Sequence, residues 1–170
     1  MVYGETGHFP LYFYVYTRMI SYWAKLTSGN ENKIVHILYK YTYTQYRNGE
    51  FKNPWLAFIN RILDRCGFSN IWSEQGINTV NEKWLTSVRQ TLKDHFIQTW
   101  SSDIFSSSKS TIYRIFKTKF GLETYLERLP VKLRSIFLKF RTTNHRLPVE
   151  TGRWFNVPYD ERLWVLCNEG

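Results

Sequence analysis

The sequence predicts a mainly α protein: a compact helical bundle, then a smaller basic helical region and an irregular C-terminal tail. Three observations carry that expectation. Apolar residues recur at steps of three and four along several long segments. Pro, Asn and Gly fall where those segments begin and end. And 170 residues with 43% apolar and 18% aromatic content are enough to bury a sizeable core, far from the aromatic-poor composition of a disordered chain.

The first helix is expected from Pro10, with Tyr12, Val15, Tyr16, Met19, Trp23 and Leu26 on one stripe and the breaker "TSGN" after it. A second is expected after Asn30, with Ile34, Ile37, Leu38 and Tyr41 facing inward and an end near Asn48-Gly49. The third has the fullest set of signals. Asn53 can cap the orphan N–H groups, Pro54 suits the first helical position, Trp55, Phe58, Ile59, Ile62, Leu63 and Cys66 trace one stripe, and Gly67 closes it. A fourth starts at Asn81-Glu82 and carries Leu85, Val88, Leu92, Phe96 and Trp100; the stretch before it, "FSNIWSEQGINTV", reads as a polar connection holding Trp72. The serine-rich "SSDIFSSSKS", residues 101–110, reads as a linker and places a soft boundary between residues 1–105 and 106–170. Beyond it "TIYRIFKTKF" fits a helix or a strand and ends at Gly121, and "LETYLERL" is a short helix. Pro130 starts another, with Leu133, Ile136, Phe137 and Phe140 as its apolar residues and Lys132, Arg134, Lys139 and Arg141 flanking them. Each stripe is read as a buried face, because one-face apolar spacing is how a helix enters a core.

Charge is unevenly spread along the chain. Residues 1–108 hold 11 Lys and Arg against 8 acids, residues 109–153 hold 11 against 3, and residues 154–170 hold 1 against 3, which makes up the net +9. A basic quarter of that kind attracts polyanions. Two cysteines a hundred residues apart form no disulfide framework and favour a reducing compartment; the expected location is intracellular, with nucleus and cytoplasm not distinguished by the sequence. The N-terminal segment lacks a signal peptide's basic start and cleavage site, and no apolar run approaches the ~20 residues of a membrane span.

Enzyme signatures are absent: no phosphate-cradling Gly-rich loop, no Gly-x-Ser-x-Gly, no HExxH. The acids are scattered singly, so no carboxylate pair is expected to converge on catalytic metals, and the doublet Asp160-Glu161 sits in an expected loop. His8, His36, His95 and His145 are far apart, with His36 and His95 read as surface or half-buried residues of helices. Cys66 ends a core stripe and reads as a small buried hydrophobe. Cys167 lies in the tail without a Cys-x₂₋₄-Cys partner, since Trp164 stands three residues before it; it is a lone residue where a zinc site needs four ligands. No cofactor, metal, membrane or small-molecule substrate is expected. The positive signal is basic residues interleaved with aromatics: Tyr113, Arg114, Phe116, Lys117, Lys119 and Phe120, then Phe137, Lys139, Phe140 and Arg141, then His145, Arg146, Arg153 and Trp154. Cations neutralise phosphates while rings stack on exposed bases, the pairing that single-stranded nucleic acid requires. Lys117, Lys119, Lys139, Arg141, His145, Arg146 and Arg153 are the candidate binding residues, and RNA or DNA the expected partner.

Several stretches resemble the region that follows the polymerase domain in non-LTR (LINE-type) retrotransposon reverse transcriptases. They are "MVYGETGHFPL", "RMISYWAKL", "ILDRCGFSNIW" and "FIQTW", and more specifically "YRIFKTKFGLETYL" and "LRSIFLKFRTTNHRLPVETGRW". "YDERLWVLCNEG" resembles the opening of the family's C-terminal zinc-binding motif, in which Arg-Leu-Cys-x-x-Cys precedes "GDE", a His and a further Cys; here Trp164 stands at the first Cys and Cys167 at the second. The resemblance implies a fragment of a longer polyprotein, truncated within that motif and without its polymerase and endonuclease. It implies a grip on template RNA or target DNA, with Arg141, His145, Arg146 and Arg153 on the backbone. The alternative is a helical structural or interaction remnant in which the aromatics are core and the cations only solubilise.

Overall fold

The computed structural model describes residues 2–29, 33–76, 80–142 and 144–162. Among them are ten α-helices: α1 (Val2–Thr6), α2 (Leu11–Thr27), α3 (Ile34–Arg47), α4 (Pro54–Arg65), α5 (Ser69–Ser73), α6 (Glu82–Ser106), α7 (Thr111–Phe116), α8 (Tyr125–Arg128), α9 (Val131–Arg141) and α10 (Pro148–Trp154). Single 3-10 turns lie at Ser108–Ser110 and Tyr159–Glu161, and no strand occurs among the described residues beyond one bridge between Thr6 and Leu122. The protein is mainly α.

Two compact units divide the chain, one of residues 9–96 and one of residues 1–8 with 97–170. The serine-rich stretch expected to be a linker is helical through Ser106, because Trp100 and Ile104, one turn apart on α6, are both buried and hold the helix past the serines. Ser107 N–H then closes the turn on the Asp103 carbonyl at 3.1 Å.

In the 9–96 unit α4 forms as its sequence requires. Asn53 Oδ1 accepts from Trp55 N–H (3.0 Å) and Leu56 N–H (3.1 Å), and Leu56, Ile59, Ile62 and Leu63 are buried, each gaining on the order of 2 kcal/mol. Cys66 is buried with them as a free thiol, and burial pushes it above the usual thiol range. α2 contributes Phe13, Ile20, Trp23, Ala24 and Leu26, so its buried face is rotated from the expected one and leaves Tyr12 and Val15 exposed. Trp72 is not in a loop. It lies in α5, buried, 6.0 Å from the Trp23 ring and 5.5 Å from Tyr43.

α3 turns the expected face outward: Ile34, Ile37, Leu38 and Tyr41 are exposed, while His36 and Tyr39 are buried and Tyr43 and Tyr46 pack behind them. Polar pairing decides between the two stripes. Trp23 Nε1–H donates to the Tyr39 hydroxyl (2.8 Å), which donates to Gln75 Oε1, and His36 Nδ1 lies 2.7 Å from the Leu26 carbonyl. A carbonyl only accepts, so Nδ1 carries the proton. His36, expected at or near the surface, is buried at 5% exposure.

The second unit is organised around α1. Gly4 packs against Trp100 and Tyr113, and a Cβ there would lie 2.5 Å from the Tyr113 hydroxyl and 2.6 Å from the Trp100 ring. Gly7, at φ +67°, brings the chain against residues 121 and 122, and Glu123 N–H bonds the Glu5 carbonyl at 2.9 Å. The segment "TIYRIF" is helical, as α7. α9, however, buries Arg141 rather than its apolar stripe; Leu133 and Ile136 are exposed, the latter at 65%.

Candidate nucleic-acid interface

The seven candidate residues separate into two environments. Lys117 and Arg141 belong to a closed cluster. The Lys117 ammonium donates to the Gly121 carbonyl (2.7 Å) and to Glu123 Oε1. Arg141 Nη2 lies 3.1 Å from Glu5 Oε1 and 3.2 Å from Glu123 Oε2, and its Nε donates to Glu5 Oε1 at 3.3 Å. Phe116, Tyr125 and Phe137 surround the guanidinium, their ring centroids 5.3 to 5.8 Å from its central carbon. Glu5 is 1% exposed and also accepts from the Tyr125 hydroxyl at 2.5 Å. Two cations and two carboxylates cancel.

Lys117 and Arg141, expected on phosphates, are therefore corrected to structural residues: both are buried, and both already hold the carboxylates a phosphate would have to displace. Desolvation by burial, reinforced by the Glu5 carboxylate, holds the Tyr113 and Tyr125 hydroxyls protonated well above the usual tyrosine range. Glu5 itself was not legible, since it acts 136 residues from Arg141 and a lone acid in a Gly-flanked segment carries no pattern.

Lys139, His145 and Arg146 do come together. With Ile136, Phe140, Asn144, Leu147 and Trp154 they line an open groove of about 720 Å³, and no carboxylate lies among these lining residues. Lys139 and Arg146 are exposed, and Trp154 is 67% exposed. Pro148 starts α10, whose last residue is Trp154, so a seven-residue helix places that ring at the groove. His145 stacks on Phe140 (centroids 5.4 Å, 24° between planes) and its Nδ1 accepts from Leu147 N–H at 3.3 Å, which fixes the ring as part of the wall. Lys119 is exposed but does not line the groove, and Arg153 is half-buried with Nη2 on the Ser108 carbonyl at 3.2 Å.

No group of three or more His, Cys, Asp or Glu able to hold a metal occurs among the described residues. Trp164 and Cys167 lie outside them. No helix among the described residues is long and apolar enough to cross a membrane. No family model, no curated protein and no solved structure matches the chain.

Proposed function

We propose that the chain is a non-catalytic nucleic-acid-binding fragment of a LINE-type reverse transcriptase, holding single-stranded or structured RNA or DNA in the groove beside α9. One observation carries the reading: exposed cations, Lys139 and Arg146, share a groove with the rings of Phe140 and Trp154 and with no acid among its described lining residues. Cations there meet phosphates and the rings offer faces to unpaired bases. The family assignment rests on the sequence resemblance of residues 113–126 and 133–154, the second of which contains every residue of the groove.

The test is affinity against salt for a fluorescent single strand. Replacing Lys139 and Arg146 by Ala should lower the slope of log affinity against log salt by about one to one and a half units, since each phosphate contact to a single strand releases about 0.7 of a counterion. Replacing Lys33, Lys40 and Arg47 by Ala should leave the slope nearly unchanged. Equal losses in both variants would mean attraction by net charge alone.

That outcome would favour the second reading, a helical interaction or structural remnant. It has its own support in α9, where Leu133 and Ile136 are exposed one turn apart on one face, apolar surface of the kind protein partners cover.

A further inference from the structure

We propose that the 9–96 unit carries a separate nucleotide-binding site, in the groove between α2 and α6, taking a phosphate on Arg18, Lys25 and Arg89 and a base on the ring of Tyr22. These four residues, with Thr17 and Ser21, line an open groove of about 560 Å³. Arg18 and Lys25 are seven residues apart on α2, two turns along one face, and Arg89 comes from α6. Among the described residues the lining includes no carboxylate, and none of the three cations forms an ion pair.

The arrangement points to an anion because three like charges brought to one groove repel, and no described lining residue offsets that repulsion. Arg89 also reaches α2, at the outer edge of hydrogen-bond distance. Ser21 Oγ donates its proton to the Thr17 carbonyl (2.8 Å), so its lone pairs face outward and one receives Arg89 Nη2 at 3.5 Å. The other guanidinium N–H groups are left for a ligand, and guanidinium groups bind phosphate oxygens through paired, charge-assisted hydrogen bonds. A bare phosphate would fill little of the groove, whose volume lies in the range of small-molecule clefts. Tyr22 supplies the second contact: it is 54% exposed and braced by Trp55, ring centroids 6.0 Å apart at 64°. A braced ring beside cations is what an unpaired base stacks on. The site shares no residue with the groove beside α9 and does not depend on it.

The full chain carrying Lys139→Gln and Arg146→Gln, which silences the other groove, is titrated with inorganic phosphate, with thymidine 5′-monophosphate and with a short oligothymidylate. The oligothymidylate should bind about tenfold or more tighter than inorganic phosphate, Tyr22→Ala should remove most of that margin, and Arg18→Gln with Lys25→Gln and Arg89→Gln should weaken all three probes at least tenfold. Circular dichroism on each variant verifies that the helices are intact, and the substitutions lie on exposed or half-exposed helix positions. No residual binding in the Lys139→Gln/Arg146→Gln background overturns the site. So does equal affinity for phosphate and oligothymidylate, which would leave only a generic anion patch, or residual binding indifferent to the triple substitution. Conversely, if Lys139→Gln/Arg146→Gln changes nothing while the triple substitution abolishes binding, the groove beside α9 fails and this site stands.

Discussion

Arg141 sits in surroundings that decide what its loss should cost. A guanidinium drawn out of water next to two carboxylates gains little net stability, because desolvating the charges offsets their attraction; removing one partner leaves the others buried and uncompensated. Glu5→Gln should therefore destabilise the protein by about 3 kcal/mol in urea unfolding, and Arg141→Ala should also destabilise, each without altering the salt slope of nucleic-acid binding at temperatures where the variants remain folded. A reduced slope in a folded Arg141→Ala protein would return that residue to the binding surface. The same chemistry gives a pH dependence. Tyr39 and Tyr113 are held protonated first by burial; at Tyr39 the Trp23 N–H works against this and Tyr43 adds to it, and at Tyr113 the Glu5 carboxylate adds to it. Their ionisation is thus raised in the folded chain above the unfolded value of about 10. The stability they contribute is complete below that value and is lost as pH rises above it, since the unfolded chain releases those protons first. Spectroscopic titration of the 12 tyrosines should show Tyr39 and Tyr113 ionising only together with loss of helical signal.

Helices differ in how far their own residues determine which face is buried. α4 was fully legible, since cap, proline, stripe and closing glycine all agree and all are used. α3 offers two stripes of similar spacing, and the apolar one faces water because Tyr39 and His36 find polar partners from α2 and from Gln75, contacts no local pattern encodes. α9 departs from its local pattern for the same reason at longer range: Glu5 and Glu123 fix the orientation of Arg141, and Leu133 and Ile136 are turned outward. For α3 the prediction is asymmetric. Tyr39→Phe leaves the Trp23 N–H and the Gln75 carbonyl without their shared partner and should cost about 1 to 3 kcal/mol, whereas Ile37→Ser with Leu38→Ser should cost well below that, as exposed positions do. Urea midpoints of the two variants measure the difference, and the reverse order would reinstate the apolar stripe as the buried face.

Across the whole molecule, the basic quarter of the sequence does not make its unit the more basic of the two. Residues 1–8 and 97–170 hold 12 Lys and Arg against 8 acids, and residues 9–96 hold 11 against 6, so the units carry +4 and +5 of the net +9. Folding brings Glu5 to the cations that follow residue 109, and two of those cations are consumed in the buried cluster. What sequence reading captured of the candidate site was the neighbourhood of residues 139–146, where cations and rings are close along the chain. It missed Arg18 and Lys25 with Arg89, which only the pairing of α2 with α6 assembles. The division into units also makes the cores separable. The 9–96 unit buries Trp23, Trp72 and Trp84 around α4, while in the other Trp100 and Tyr113 close over α1. Gly4→Val puts a branched side chain where even a Cβ would fall 2.5 to 2.7 Å from the Tyr113 hydroxyl and the Trp100 ring, and neither ring has the freedom of a long aliphatic tip. α1 should then lose its seat and take Glu5 away from Arg141. Hydrogen exchange read by peptide should show protection lost in residues 2–6 and 111–141 and kept in α4 and α5, because their buried contacts lie within the other unit. If α4 and α5 lose protection to the same degree, the two cores are one cooperative unit, and α6, which runs through both, transmits the loss of one to the other.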